Sequence, residues 1–347
     1  MSNVKVGLVG FGLSGQVFHA PLIRAVGGME IAKVVSSNPE KVGQYLPDSE
    51  VIASLEELLA DESIDLVVIT SPNQTHYPFA KQALLAGKHV VVEKPFVISS
   101  EEADDLIETA RQRNKLLSVY QNRRWDNDFL TVKGLIEAGE LGEIASYEAH
   151  YDRYRPEVTN RWRETAGPGS GMLYDLGSHL IDQALHLFGK PDSVYADLLA
   201  QRAGSEVTDY FHLILSYGTK RVILHSGSLV MRHGPKYQVH GSKGSFIKYG
   251  LDSQEDMLRK GGLPGQPGWG MDREESYGEL TAAVDGKAET GKVKTLQGSY
   301  ESFYEGMVKA ITANKPVPVA AEDARNTIRI IELAIQSSAE KRALPFE

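Results

Sequence analysis

The chain contains no cysteine, so a disulfide scaffold, a thiolate zinc site and a cysteine nucleophile are all excluded. Positive charge is not in excess: 37 lysines and arginines stand against 46 aspartates and glutamates, a formal net charge of −9. That balance argues against a nucleic-acid or anionic-membrane partner, although a local basic patch could still hold one phosphate. No apolar run reaches membrane length, and no basic segment followed by an apolar core and cleavage site precedes Val4-Lys5-Val6-Gly7-Leu8-Val9. A cytoplasmic address with no membrane partner is therefore expected. There is no internal repeat.

What is present is an ordinary globular composition, 41% hydrophobic and 24% charged over 347 residues, a length that suits two domains better than one core. Short apolar runs at Val4–Val9, Ile31–Val35, Leu66–Thr70, His89–Val92 and Leu116–Tyr120 read as buried strands. Helix signals lie between them. Ser54 with Glu57, and Ser99 with Glu102, fit capping boxes, and Ala103, Leu106, Ile107 and Ala110 share one helical face. Such alternation predicts βαβ units on a parallel sheet.

The pattern changes after about residue 121. Ala145, Tyr147, Ala149 and Tyr151 alternate with polar neighbours, as do Phe211, Leu213, Leu215 and Tyr217 before the turn at Gly218-Thr219 and the run 221–224. Residues 236–240 and 245–249 flank the turn at Gly241–Gly244. These are meander signals for an antiparallel sheet with one covered face. A helix over roughly 172–188 stops at Gly189-Lys190-Pro191, and a last helix holds Ala324, Ile328, Ile331 and Ile335 on one face. The glycine- and proline-rich stretch 252–275 reads most simply as a long surface loop, less simply as a lid or subunit arm. The expected fold is α/β. A doubly wound Rossmann domain over 1–121 precedes an α+β domain over 122–347 with a large, mostly antiparallel sheet. The second domain is expected to serve substrate binding and oligomerisation, with the last helix free to pack back on the first.

Gly10-Phe11-Gly12-Leu13-Ser14-Gly15 is a GxGxxG directly after the first strand. Dinucleotide chemistry needs glycine there for a tight turn, for close approach of backbone to pyrophosphate and for helix–strand packing. The following helix start offers N–H groups and a positive dipole to the phosphates. About 20 residues on, where an NAD enzyme usually places a carboxylate for the ribose 2′-hydroxyl, stand Ser36, Ser37 and Asn38, with Lys41 just beyond. Hydroxyls and a cation without carboxylate repulsion suit a 2′-phosphate, so NADP is favoured, with NAD as the alternative. The plainer reading is that Ser37-Asn38-Pro39 only caps the next helix.

The fifth strand runs out as Glu93-Lys94-Pro95. Ligands of open α/β sheets lie beyond the carboxyl ends of the strands, so Lys94 can hydrogen-bond a substrate oxygen and stabilise charge on it. A surface lysine before a turn proline is the competing reading. On the helix after Gly171, Asp175, His179, Asp182 and His186 form one stripe. An aspartate one turn before a histidine can orient the ring and stabilise its protonated form, making His179 a general acid or base. The stripe could equally be a solvated face, or Asp175 and His179 could bind a metal. Two ligands on one helix are not a full site, and spacing shows no third, so no metal is assigned.

Taken together, Gly10–Gly15, Glu93-Lys94-Pro95 and Gly171-x-x-x-Asp175-x-Gly177-x-His179-x-x-Asp182 resemble the glucose-fructose oxidoreductase/inositol dehydrogenase/MocA family, in order and spacing along the whole chain. The run Ser118–Leu130, with Tyr154–Val158, Arg161-Trp162-Arg163 and Tyr174–His179, looks like its bacterial NADP-dependent scyllo-inositol dehydrogenases. The resemblance implies Lys94 at both substrate oxygen and cofactor, a frequent cis peptide at Pro95, His179 as proton acceptor and Asp175 as its hydrogen-bonding neighbour. It also implies a cofactor cleft lined by Ser71, Pro72, Asn73, His76, Glu93, Gln121, Asn122, Trp162 and Arg163. Substrate hydroxyls would meet Lys94, Asp175 and His179, joined in this reading by Arg123 and His150. The implied activity is reversible oxidation of a secondary hydroxyl of a cyclic polyol, scyllo-inositol to its inosose, in a homodimer or homotetramer. An aldose, myo-inositol or another keto-sugar is the alternative substrate, and a non-catalytic NADP(H)-binding regulator the alternative role.

Tyr77-Pro78-Phe79-Ala80-Lys81 also satisfies the YxxxK of short-chain dehydrogenases. It comes too early in the sheet order, and Pro78 marks a first helical turn instead.

Overall fold

The computed structural model describes residues 3–159, 164–284 and 287–347. The chain divides into two compact units. The first gathers Met1–Asn122, Gln254–Trp269 and Ser299–Arg325; the second gathers Arg123–Ser253, Gly270–Gly298 and Asn326–Glu347.

The first unit is built on six strands, β1 (Val4–Val9), β2 (Met29–Val35), β3 (Glu50–Ile52), β4 (Leu66–Ile69), β5 (His89–Val92) and β6 (Leu117–Val119). They run parallel in the order β3-β2-β1-β4-β5-β6. Helices α1 (Ala20–Ala25), α2 (Pro39–Tyr45), α3 (Leu55–Ala60), α4 (His76–Leu85) and α5 (Ser100–Arg113) fill the crossovers. Val6, Leu8, Val67, Val68, Ile69 and Val90–Val92 have no exposed surface. A sheet covered on both faces needs continuous apolar runs rather than alternation, which is why the sequence announces these strands so clearly. Both serine caps form, Ser54 Oγ accepting from Glu57 N at 3.2 Å and Ser99 Oγ from Glu102 N at 3.2 Å, while the glutamates accept one residue earlier than a capping box has it, from Ala53 N and Ile98 N. Strand β3 escapes sequence reading because three residues carry no periodicity. The strand order reverses direction between β1 and β4, the switch point where open sheets of this kind take ligands.

The stretch 252–275 is not the plain loop its glycines and prolines predict. It contains α8 (Gln254–Arg259), and Trp269 is 1% exposed with its indole N–H donating to Glu301 at 2.9 Å. Gln254 Oε1 accepts from Tyr300 N at 2.8 Å, at the start of α9 (Glu301–Ala313), and the Arg259 guanidinium sits 5.2 Å from the Phe18 ring centroid. Residues Gln254–Trp269 are a packed part of the first unit, held by side chains whose partners lie far off in sequence.

Among its described residues the second unit carries α6 (Asn127–Glu137), α7 (Ser178–Phe188), most of α10 (Ala321–Glu340) and nine strands. The strands are β7 (Ile144–His150), β8 (Ser193–Leu199), β9 (Tyr210–Tyr217), β10 (Lys220–Gly227), β11 (Tyr237–Gly241), β12 (Gly244–Lys248), β13 (Gly278–Val284), β14 (Lys287–Val293) and β15 (Leu344–Pro345). Their order is β14-β13-β12-β11-β7-β10-β9-β8-β15. The β7–β10 pair is parallel and the others antiparallel. Tyr147, Ala149, Phe211, Leu213, Leu215, Val222 and Leu224 are wholly buried on one face, against α7, where the Tyr147 and Phe188 rings meet at 5.4 Å. Strict alternation sends Glu148, His150, His212 and His225 to the other face. On α10, Ala324, Ile328 and Ile331 are buried as expected, but Ile335 is 45% exposed.

Candidate active site

The glycine-rich turn leaves the carboxyl end of β1. Gly10 takes φ +94°, and a Cβ there would stand 3.3 Å from Ser71 N and Thr70 Oγ1. On Gly15 a Cβ would stand 2.4 Å from Gly10 O, so the third glycine lets the helix close on the strand. Nothing lies within 4 Å of the Cβ position of Gly12. Two of the three glycines are thus fixed by the fold itself, and the middle one faces open space, where backbone can approach a phosphate. The helix after the turn opens as a π turn over Ser14–His19 before α1. Such turns concentrate at functional sites and leave no periodicity to read in advance.

At the end of β2 both readings are partly realised. Asn38 caps α2, its Oδ1 accepting from Lys41 N at 3.0 Å, while Ser36 Oγ accepts from Asn38 N at 3.1 Å and Ser37 is exposed. The Lys41 side chain does not point away. Its Nζ donates to Phe11 O at 3.2 Å and lies 5.8 Å from the Phe11 ring centroid. A cation is therefore anchored on the glycine-rich turn beside the end of β2.

After β4, Ser71 Oγ meets Thr75 Oγ1 at 2.5 Å, and Thr75 donates to Pro72 O at 2.7 Å, in the 3₁₀ turn that contains Asn73. His76 is 1% exposed, with Nδ1 2.8 Å from Pro95 O and Nε2 3.0 Å from Ser71 O. Burial holds its pKa below the ordinary value, so the neutral ring donates to one of the two carbonyls. His76 clasps the post-β4 segment to Pro95; it frames the cleft rather than presenting a free nitrogen.

Glu93 is the hub of this unit. Its Oε1 accepts from Ser14 Oγ in the glycine-rich turn and lies 3.1 Å from His19 Nε2, and its Oε2 accepts from Lys94 N at 2.7 Å. His19 Nδ1 in turn meets the Tyr304 hydroxyl at 2.5 Å, and the His19 ring centroid lies 4.1 Å from that of Tyr120, the two planes tilted by 43°. Burial opposes ionisation of Glu93, but His19, Lys94 and Ser14 outweigh it and bring the carboxyl down to about 2. The peptide Lys94-Pro95 is cis. His19, Tyr120 and Tyr304 are absent from the sequence-based site, and no spacing signal could have found Tyr304, 285 positions from His19.

Because the folded pKa of Glu93 lies below its ordinary 4.5, its contribution is present above about pH 4.5 and lost as pH falls towards 2. The gap corresponds to roughly 3 kcal/mol. Urea titrations stepped from pH 6 to 3 are expected to show a flatter stability loss for Glu93→Gln than for the parent chain; parallel curves would refute the ionised hub.

Gln121 is 2% exposed and its buried Oε1 has no hydrogen-bond partner among the described residues, and Asn122 begins the turn Asn122–Trp125. Trp162 and Arg163 lie outside the described residues. Tyr77 and Lys81, the alternative YxxxK pair, both spend their polar groups on Asp105, at 2.8 and 2.6 Å.

In the second unit, Gly171 takes φ +88°, where a Cβ would stand 3.1 Å from Thr208 O, and Met172 N donates to that carbonyl at 2.7 Å. A π turn over Leu173–Gly177 carries Asp175 and leads into α7 with His179 in its first turn. Gly177 packs on Leu173 and Phe211. The stripe is not a solvated face: His179 is 4% and Asp182 1% exposed, and only His186 is open to solvent. Asp182 accepts two hydrogen bonds from Arg124, at 2.8 and 2.7 Å. Arg123 is 8% exposed, its guanidinium 5.0 Å from the Tyr151 ring centroid and its carbonyl accepting from Gln183 Nε2 at 2.7 Å. His150 is not brought to Asp175 and His179, because it lies on the face of the sheet that α7 does not cover. The alternation around Ala149 and Tyr151 held that signal.

Comparisons with known proteins agree with this architecture. Residues 4–121 match the Gfo/Idh/MocA model for an oxidoreductase family NAD-binding Rossmann fold, and residues 133–346 match the model for that family's C-terminal alpha/beta domain. The scyllo-inositol 2-dehydrogenase (NADP(+)) of Bacillus subtilis is 48% identical over 347 residues, spanning 100% of this chain and 97% of the relative. An uncharacterized oxidoreductase of Escherichia coli is 46% identical over 342 residues, 99% of this chain and 98% of its own. The solved structure of a candidate oxidoreductase from Bacillus subtilis superposes with a TM-score of 0.98 at 48% identity, covering 100% of this chain and 99% of that one.

Proposed function

The chain belongs to the Gfo/Idh/MocA oxidoreductase family, and on that footing we propose that it transfers hydride reversibly between NADP(H) and a secondary hydroxyl or ketone of a cyclic polyol, scyllo-inositol and scyllo-inosose first. The observation that carries the cofactor half is Lys41 Nζ anchored on Phe11 O, with no carboxylate at the end of β2. The substrate half rests on the full-length relative named a scyllo-inositol 2-dehydrogenase (NADP(+)).

The residues fit a dinucleotide. The Gly12 position is open and Gln121 Oε1 is an orphaned buried acceptor, suited to an amide or hydroxyl donor. Gly10–Gly15 would hold the pyrophosphate, and Ser36, Ser37 and Lys41 the 2′-phosphate. Ser71, Pro72, Asn73, Gln121 and Asn122 would line the remainder, with Trp162 and Arg163 belonging to the same proposal. When bound, the nicotinamide supplies the two-electron acceptor for a hydride from the substrate carbon. The side chains do the rest. His179 takes the hydroxyl proton, Asp175 supports the imidazolium so formed, and Lys94 stabilises the developing alkoxide. Glu93, ionised and bound to Lys94 N and Ser14, fixes the lysine segment relative to the glycine-rich turn. Arg123 is the further candidate for a substrate hydroxyl.

Kinetics with scyllo-inositol, other inositols and aldoses, each with both cofactors, test the reading. The highest kcat/KM is expected for scyllo-inositol with NADP. A clear preference for NAD would sink the cofactor assignment, and an aldose preference the polyol. Loss of a charge-assisted bond of about 1.5–3 kcal/mol predicts that Lys41→Glu lowers kcat/KM with NADP by about 10- to 100-fold, with the NAD value nearly unchanged.

A further inference from the structure

We propose that the face of the large sheet opposite α7 carries a transition-metal site of the zinc(II) class, with His150, Asp152 and His225 as ligands. The strand register creates it. His212 on β9 pairs with His225 on β10, and His225 pairs with His150 on β7, so three imidazoles stand in one row across three neighbouring strands. The ring centroids are 5.7 Å apart for His212 and His225 and 5.1 Å for His150 and His225. Asp152, two residues beyond His150, returns its carboxylate to the same row. Among the described residues, His150, Asp152 and His225 form a group whose ligand atoms all lie within 4.8 Å of one another.

Each of the two imidazoles faces one oxygen of the same carboxylate, at distances compatible with coordination. His150 Nδ1 lies 3.4 Å from Asp152 Oδ2, and His225 Nε2 lies 3.3 Å from Asp152 Oδ1. Both exceed the usual N–H···O range. Zinc bonds of about 2.0–2.1 Å set a tetrahedral ligand–ligand edge of about 3.3–3.4 Å, so ligand atoms within 4.8 Å of one another close on an ion by small side-chain rotations. The outer contacts also suit a metal. Gly227 N donates to Asp152 Oδ1 at 3.1 Å, orienting the carboxylate. His150 Nε2 is buried without a hydrogen-bond partner and lies 3.7 Å from Glu148 Oε2, where a ligating histidine commonly turns its second nitrogen. The side chains are 23%, 8% and 15% exposed for His150, Asp152 and His225, so an ion can enter.

A metal requires its imidazole ligands neutral and its carboxylate ionised, so binding releases any protons these groups carry. A water would complete the fourth position, with His212 the nearest further imidazole. This site stands on the face away from α7 and is independent of the proposed hydride-transfer chemistry.

The experiment uses the full chain without an affinity tag, stripped with chelator and titrated with zinc chloride by calorimetry and with cobalt(II) by visible absorption. One equivalent of zinc per chain is expected, with the intense bands of four-coordinate cobalt. His150→Ala, Asp152→Asn and His225→Ala are each expected to weaken zinc binding by about 100-fold, while His233→Ala, at an exposed histidine, leaves it unchanged. Absence of stoichiometric uptake overturns the site, as does faint six-coordinate cobalt absorption or affinity undiminished in the three variants. Should an alanine variant fail to fold, the near-isosteric Asp152→Asn and the parent chain's cobalt spectrum still decide the matter.

Discussion

Replacing Lys94 by alanine is expected to lower kcat for polyol oxidation by about 10²- to 10³-fold, the usual effect of removing one donor aimed at a developing oxyanion. His179→Ala is expected to cost about 10²- to 10⁴-fold, the range of a positioned general base. Both losses should fall on kcat rather than on cofactor affinity, because most of the groups proposed to hold NADP are other residues, in the turns that follow β1, β2, β4 and β6. Fluorescence titration with NADPH is therefore expected to give dissociation constants within a few-fold of the parent chain. Lys94→Arg should not restore activity, since a planar guanidinium cannot replace a compact ammonium beside a fixed oxygen. Near-normal kcat in either alanine variant would overturn the assignment. Intact NADPH binding without any polyol-dependent turnover in the parent chain would instead favour the regulator.

Much of this was legible from local pattern. The parallel strands announce themselves because burial on both faces forces unbroken apolar runs, and the glycine-rich turn because three backbone positions admit no side chain or need close approach. The serine caps are local hydrogen bonds and were readable as such, whereas the glutamates reach one residue beyond the expected N–H. What escaped is non-local. The Glu93 hub joins Ser14, His19, Lys94 and, through His19, Tyr304, and the buried Trp269 makes a packed element of a segment that composition reads as loop. Both π turns escaped as well, since a one-residue widening leaves no spacing signature. The clearest lesson is His150. Its chain neighbours Ala149 and Tyr151 are buried on the covered face, so alternation alone places it opposite, yet its partners His212 and His225 appear only once strand order and register are known.

Asp182 makes the strongest stability prediction. Its carboxylate accepts two hydrogen bonds from Arg124, with side-chain exposures of 5% for the arginine and 2% for the aspartate. Desolvating both ions is costly, and their mutual attraction only offsets that cost, so the pair is not itself a large net gain. Breaking it is another matter. Asp182→Ala leaves a guanidinium buried without its carboxylate, which is expected to cost about 3–5 kcal/mol and to lower the melting temperature by about 10 °C. The double variant Arg124→Met with Asp182→Leu removes both charges and fills similar volume, and should recover most of that loss. The pair's contribution would then be its geometry: Arg124 binds α7 three residues beyond His179, so the double variant should fold well and still lose kcat. A single variant costing less than about 1 kcal/mol would mean that Arg124 reaches water when Asp182 is gone, and that the ion pair does not anchor the helix.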